Sequence, residues 1–176
     1  VAFMGQKFRA VGALQIPDAR PCPVLISGLA PIMLRIAGEI ADGTILAWAG
    51  HKTIATHYVP SVNAAAHAAG RPQPRVCVLL PVAVTDDVAA AREQAATTFE
   101  VYGRLPNYQR VLEREGVKTP AERAVVGDEA SVERQVRELS AAGATDLIAW
   151  VYPVGDAAAM SLERTCELLG SLAGKV

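Results

Sequence analysis

The 176-residue sequence predicts an α/β fold, specifically half of a (β/α)8 TIM barrel. Three observations predict it. Four short apolar runs, at 24–26, 44–48, 75–84 and 146–151, are each followed by a stretch of helical periodicity. No antiparallel hairpin interrupts that series, and strict strand–helix alternation means a parallel sheet covered by helices. Eight such units close a barrel in roughly 250 residues. Four alone would leave two unpaired edges and one bare face. The expected organisation is one domain, 1–176, with 1–22 as a rim segment and 23–176 as four βα units with a helical insertion after the third strand.

In chain order, Gly5 to Val11 alternates weakly, and Pro17, Pro21 and Pro23 enforce extended backbone. This segment reads as an excursion over the sheet rim with a short hairpin. Val24-Leu25-Ile26 is an apolar run of the kind buried on both faces of a parallel sheet. Pro31 suits the first turn of a helix, in which Met33, Ile36 and Ile40 recur at helical spacing. Small Ala37, Gly38 and Ala41 allow that helix to pack closely on a sheet. Asp42-Gly43 ends it, and Thr44 to Trp48 is the second strand. Thr53 is the expected N-cap of a helix over 54–69, with Pro60 complicating its first turns.

The third strand, 75–84, carries Pro81, which implies a bulge, an edge, or the point where the strand leaves the barrel. Asp86 or Asp87 caps a helix to about 101, and Leu105 to Gly116 forms a second short one. Thr119-Pro120 opens a further turn or two to about Val126. Asp128 caps a helix over 129–142, where Val132, Val136 and Leu139 share a face. The last strand, 146–151, leads through Pro153 and Gly155 to a closing helix over 156–172.

Composition removes several function classes. Hydrophobic residues make up 51%, enough for a sizeable core, and the formal net charge is -1 without a run of one sign. That argues against nucleic acid or an anionic membrane as partner. Cys22, Cys77 and Cys166 have no paired spacing and read as free thiols in a reducing, cytoplasmic setting. No run reaches the roughly 18 apolar residues of a membrane span. The chain opens on Val1 inside a loop-like stretch, so a fragment is expected. No Walker, Gly-x-Ser-x-Gly or Cys-x-x-Cys pattern occurs, metal-ligand spacing is absent, and no catalytic acid or base stands out.

In a parallel barrel the active site lies at the carboxyl ends of the strands. That rule selects Ser27-Gly28-Leu29-Ala30, Trp48 to His51, the region around Val84 to Asp86, and Trp150 to Pro153. The first loop is the best candidate. Gly28 and Ala30 let backbone N–H groups approach a ligand, and the following helix N-terminus suits an anion. Gly28 equally suits a plain tight turn. Trp48 can wall a ring pocket or simply pack. Tyr102, Arg104 and Tyr108 belong to an insertion able to close over a ligand, or form an ordinary helix break. His51, His57 and His67 read as surface groups. Lys7 and Arg9 are weak rim cations, and Glu113, Glu115, Glu122, Glu129, Glu133 and Glu138 read as solvated helix faces.

The run from Pro23 to Ile45, and above all Ala37-Gly38-Glu39-Ile40-Ala41-Asp42-Gly43, resembles the fifth strand, fifth helix and sixth strand of luciferase-like monooxygenases. Gly70-Arg71-Pro72, Thr85-Asp86-Asp87 with Ala91-Arg92, Val126-Gly127-Asp128 and Ala142 to Asp146 fit the same alignment. Tyr102-Gly103-Arg104-Leu105-Pro106-Asn107-Tyr108 resembles the branch that uses the deazaflavin coenzyme F420. The resemblance spans nearly the whole chain but only the second half of the family's chain, so it implies the C-terminal half of the barrel, with an N-terminal half-barrel expected beside it.

The resemblance further implies hydride transfer between F420 and a small organic substrate, with Ser27 to Ala30 touching the cofactor phosphate. Leu29 and Ala30 stand where the deazaflavin branch often has glycines. A flavin mononucleotide (FMN) monooxygenase of the same fold is the alternative, and a cofactor-free half-barrel acting as a binding or assembly module is the third reading. A homodimer is expected by analogy with the family.

Overall fold

The computed structural model describes residues 2–13 and 22–176. Pro17 and Pro21 lie outside the described residues. Strands β1 (Ala2–Met4) and β2 (Arg9–Val11) form the short hairpin expected of the rim segment, closed by a bond from Gly5 N–H to the Phe8 carbonyl (2.9 Å).

The main sheet contains β3 (Leu25–Ser27), β4 (Gly43–Ala47), β5 (Arg75–Val84) and β7 (Asp146–Val151), all parallel and side by side in chain order. One row, Ser27–Ile45–Cys77–Asp146, crosses all four. Val76, Val78, Leu80, Val82 and Val84 point to one face, where they join Leu34, Tyr58, Val62, Val132, Val136 and Leu172 in the core. Helices α1 (Pro31–Ile40), α3 (Val59–Ala68), α7 (Glu129–Ala141) and α8 (Ala158–Leu172) supply those partners. The other face carries Ser27, Ile45, Leu79, Ile148 and Trp150. Among the described residues no helix covers its middle, and Ile148 and Trp150 are each 40% exposed. These are four consecutive units of an eight-stranded barrel, with helices outside and the barrel interior on the open face.

A further strand, β6 (Val125–Gly127), lies where the sequence suggested helical turns to Val126. Three residues are too few to display a period, and the 3-10 turn Pro120–Arg123 before it masks its start. β6 pairs with Val82–Val84, while Val82 also pairs with Val151 of β7, so β6 shares the β4 edge of β5.

Pro81 sits where this edge is vacant. β4 stops at Leu79, whose carbonyl accepts from Trp48 N–H (3.1 Å), and β6 starts at Val82. Backbone groups alternate in direction along a strand, so residue 81 faces the same edge as 79. Its missing N–H therefore breaks no ladder bond, and β5 parts from β4 at this point while staying paired with β7 through Val82.

Two local details differ from expectation. The second long helix begins at His51, capped by Gly50, and runs as α2 (His51–Thr53), a π-turn (Ile54–Tyr58) and α3. Pro60 explains the wide turn: a proline ring clashes with the carbonyl four residues back, and the i→i+5 pattern, with Val59 N–H on the Ile54 carbonyl, relieves that crowding. Gly38 packs against α3 rather than the sheet: an added Cβ would stand 2.6 Å from the Val62 carbonyl oxygen.

The remaining helices, α4 (Val88–Thr98), α5 (Glu100–Arg104) and α6 (Pro106–Glu115), fold over the carboxyl ends of the strands. They bury Ala91, Ala95, Phe99 and Val111 against Trp48, Ala83 and Tyr152. Among the described residues no helix is long and apolar enough to cross a membrane.

Candidate active site at the strand ends

A cavity of about 600 Å³ opens where β3 ends. Ser27, Gly28, Leu29 and Ala30 form one wall, and Leu105, Pro106, Asn107 and Tyr108 of the insertion form the other, with Arg110, Val111 and Arg114 continuing it along α6. The two walls are two stretches singled out in the sequence.

The first wall follows from local chemistry. Gly28 N–H continues the ladder to the Ile45 carbonyl (3.3 Å), and the chain then turns directly into α1. A Cβ on Gly28 would stand 2.7 Å from Met33 Cβ, so glycine permits this turn. Ala30 is the N-cap of α1 and has no side chain to cap it; no acidic residue occupies the first turn. The amide groups and the positive end of the helix dipole there are left for an outside anion. Ser27 is exposed on the open sheet face, and its hydroxyl stands 3.5 Å from the Ile45 carbonyl, at the limit of a hydrogen bond.

Behind the cavity lies an aromatic cluster. Trp48 is 1% exposed and packs on Phe99 (5.4 Å) and Tyr102 (5.1 Å); Tyr102 touches Tyr108 (5.3 Å), and Trp150 meets Phe99 edge-on (4.9 Å). Trp48 and Tyr102 thus sit behind the wall, not in it. Trp48 also has φ 67°, a backbone strain rarely held by a large residue. Of the three insertion residues, Tyr108 alone lines the cavity. Arg104 pairs with Glu100 on the exposed side of α5. Burial pushes the Tyr152 phenol up to about 12, and its hydroxyl donates to the Ala91 carbonyl (3.1 Å).

The carboxylates are not all solvated. The Glu115 side chain is 2% exposed. It accepts from Gly50 N–H (2.7 Å), Thr53 N–H (3.2 Å) and the Thr53 hydroxyl, with Arg123 at 3.9 Å. It caps the start of α2 from across the insertion, just after the strained Trp48. Spacing carried the signal: Tyr108, Val111, Leu112 and Glu115 fall on one helical face. Arg110 and Arg114, missed as cavity residues, stand with Asn107 at i, i+3 and i+7 on an adjoining face.

His57 is half-buried, its ring edge-on to Tyr58 (5.0 Å). Burial and then the nearby Arg114 charge lower its pKa. His51 begins α2 and is exposed, as is His67 near the end of α3. Lys7 and Arg9 ride on the exposed hairpin and do not line the cavity.

Against known proteins, residues 1–161 match the model of the luciferase-like monooxygenase family. No curated protein sequence matches significantly. Among solved structures, the coenzyme F420-dependent tetrahydromethanopterin reductase of Methanopyrus kandleri aligns with TM-score 0.65 and 23% identity over 84% of this chain and 49% of its own. An F420-dependent secondary alcohol dehydrogenase in complex with an F420-acetone adduct aligns with TM-score 0.69 and 18% identity over 98% and 56%. The oxygenating constituent of 3,6-diketocamphane monooxygenase from the CAM plasmid of Pseudomonas putida, in complex with FMN, gives TM-score 0.68 and 15% identity over 96% and 56%. At such identities these likenesses speak for the fold, and the chain spans about half the length of the structures it matches. With the family model covering all but the last 15 residues of a parallel half-barrel, the chain belongs to the luciferase-like monooxygenase family.

Proposed function

We propose that the protein is an oxidoreductase that passes a hydride between the deazaflavin coenzyme F420 and a small organic substrate, with the cofactor phosphate held by Ser27 to Ala30. The observation that carries this reading is the cavity at the carboxyl end of β3, walled by that loop and by 105–108. The residues fit a phosphorylated ring cofactor. Gly28 brings backbone close, the uncapped start of α1 favours negative charge, and among the described residues no Asp or Glu lines the cavity. The cofactor supplies the hydride chemistry; the chain's residues bind, orient and exclude water. Trp48, Tyr102 and Phe99 back the wall with apolar rings, and half-exposed Trp150 offers an aromatic surface to the open sheet face. The Tyr102-to-Tyr108 stretch favours the deazaflavin branch.

FMN-dependent monooxygenation is the second reading, supported by an FMN-bound relative that superposes as well as the F420 enzymes. Fluorescence titration with F420 and with FMN separates the two, and binding of neither favours a non-catalytic module. Ser27→Trp fills the mouth of the cavity from an exposed position and is expected to abolish cofactor binding while leaving the circular dichroism spectrum intact. Unchanged affinity would remove the loop from the site.

A further inference from the structure

Arg110 and Arg114 lie one turn apart on α6 and both line the cavity, across from the Ser27-to-Ala30 loop. Among the described residues neither forms an ion pair within 4.0 Å, as is also true of Arg9, Arg92 and Arg134, but of these unpaired arginines only Arg110 and Arg114 line the cavity. Among the described residues the cavity wall holds no acidic side chain to neutralise them. Two cations one helical turn apart repel each other, and an anion bound between them relieves that repulsion. Arg114 lies near the fully buried Tyr58, whose phenol pKa is raised by burial, with the guanidinium acting the other way.

The positive end of α1 faces the same space. A single phosphate on the loop would use that end; two further cations on the opposite wall call for a second negative group.

We infer that α6 supplies an anion subsite, with Arg110 and Arg114 gripping a second negatively charged group on a ligand whose phosphate rests on Ser27 to Ala30. The ligand class is a phosphorylated compound carrying an additional phosphate or carboxylate on its tail. This deepens the cofactor reading and rests on it for the ring, but not for the anions.

The test compares wild type with the Arg110→Ala/Arg114→Ala double variant. Both positions are exposed on α6, so folding should be retained. F420 bearing glutamate carboxylates, the same deazaflavin without phosphate or tail, and inorganic pyrophosphate are titrated in turn. The double variant is expected to bind tailed F420 about tenfold more weakly, with a flatter salt dependence. Its affinity for the tail-less ring should stay the same, and Lys at both positions should restore part of the loss. Equal affinity of wild type and double variant for tailed F420 and for pyrophosphate would overturn the subsite and leave the cofactor reading standing. Should wild type bind neither ring compound, the cofactor reading fails. Pyrophosphate then decides the subsite: binding that weakens in the double variant supports it, and no binding overturns it.

Discussion

At the scale of single residues, Glu115 is the most consequential polar group outside the cavity. Its carboxylate ties the end of α6 to the amides of Gly50 and Thr53 and so links the insertion to the turn after β4. A hydrogen bond to a charged group contributes about 1.5–3 kcal/mol. Glu115→Ala removes three such bonds and leaves Arg123 without its carboxylate, so a loss of about 3 kcal/mol is expected, read as a lower urea midpoint at unchanged slope. An unchanged midpoint would mean water replaces the carboxylate at no cost. This residue was legible in principle, because it sits at i+7 from Tyr108 on the apolar stripe of α6. Charge type hid it: a glutamate on a helix is usually solvated, and the donors that make burial tolerable come from residues 62 and more positions away in sequence. Trp48 and Tyr102 were legible only as aromatics at a strand end and a helix break. Which side of the wall each would occupy depends on how Phe99 and Trp150 pack, and no spacing encodes that.

At the scale of elements, the end of β5 shows how a strand can outrun its neighbours. β7 pairs only as far as Val82, so among the described residues Val84 has no strand on that side. Helix α8 substitutes: the Thr165 hydroxyl accepts from Val84 N–H (2.8 Å) and the Ser161 hydroxyl donates to its carbonyl (2.8 Å), both side chains buried. Thr165→Val keeps the shape and strands a buried amide, a cost of about 1–3 kcal/mol. A fall in Tm of about 3–9 °C is expected by scanning calorimetry; a variant melting with wild type would show that the amide finds another partner. The sequence revealed all four barrel strands and most helices, since long periodic segments bounded by Pro, Gly and Asp carry their own signal. It concealed β6, a strand of three residues defined by its partner, and the π-turn, which answers to Pro60 through the geometry of the preceding carbonyls.

At the scale of the whole molecule, Arg164 of α8 joins segments far apart in sequence. It pairs with Glu129 at the start of α7 (2.7 Å) and with Asp86 before α4 (3.1 Å). Hydrogen bonds from Arg164 hold the Glu129 carboxyl at about 2, against an ordinary 4.5. A carboxyl depressed in the folded state adds stability above its unfolded value, and that contribution drains away as pH falls from about 4.5 through about 2. Glu129→Gln should therefore flatten the acid limb of the stability curve across that window, measured by circular dichroism at stepped pH. Superimposable curves would show that the pair does not report on folding.

The notch at Pro81 carries a consequence for how such a chain can change. With no amide aimed into the gap between β4 and β6, neither of those strands can lengthen by zipping onto β5 there, so a slip in one cannot propagate to the other. Everything from Thr85 to Ala124 is consequently hung beyond a built-in stop. The roof over the cavity can be recast, lengthened or traded without asking the four barrel strands to renegotiate their alignment.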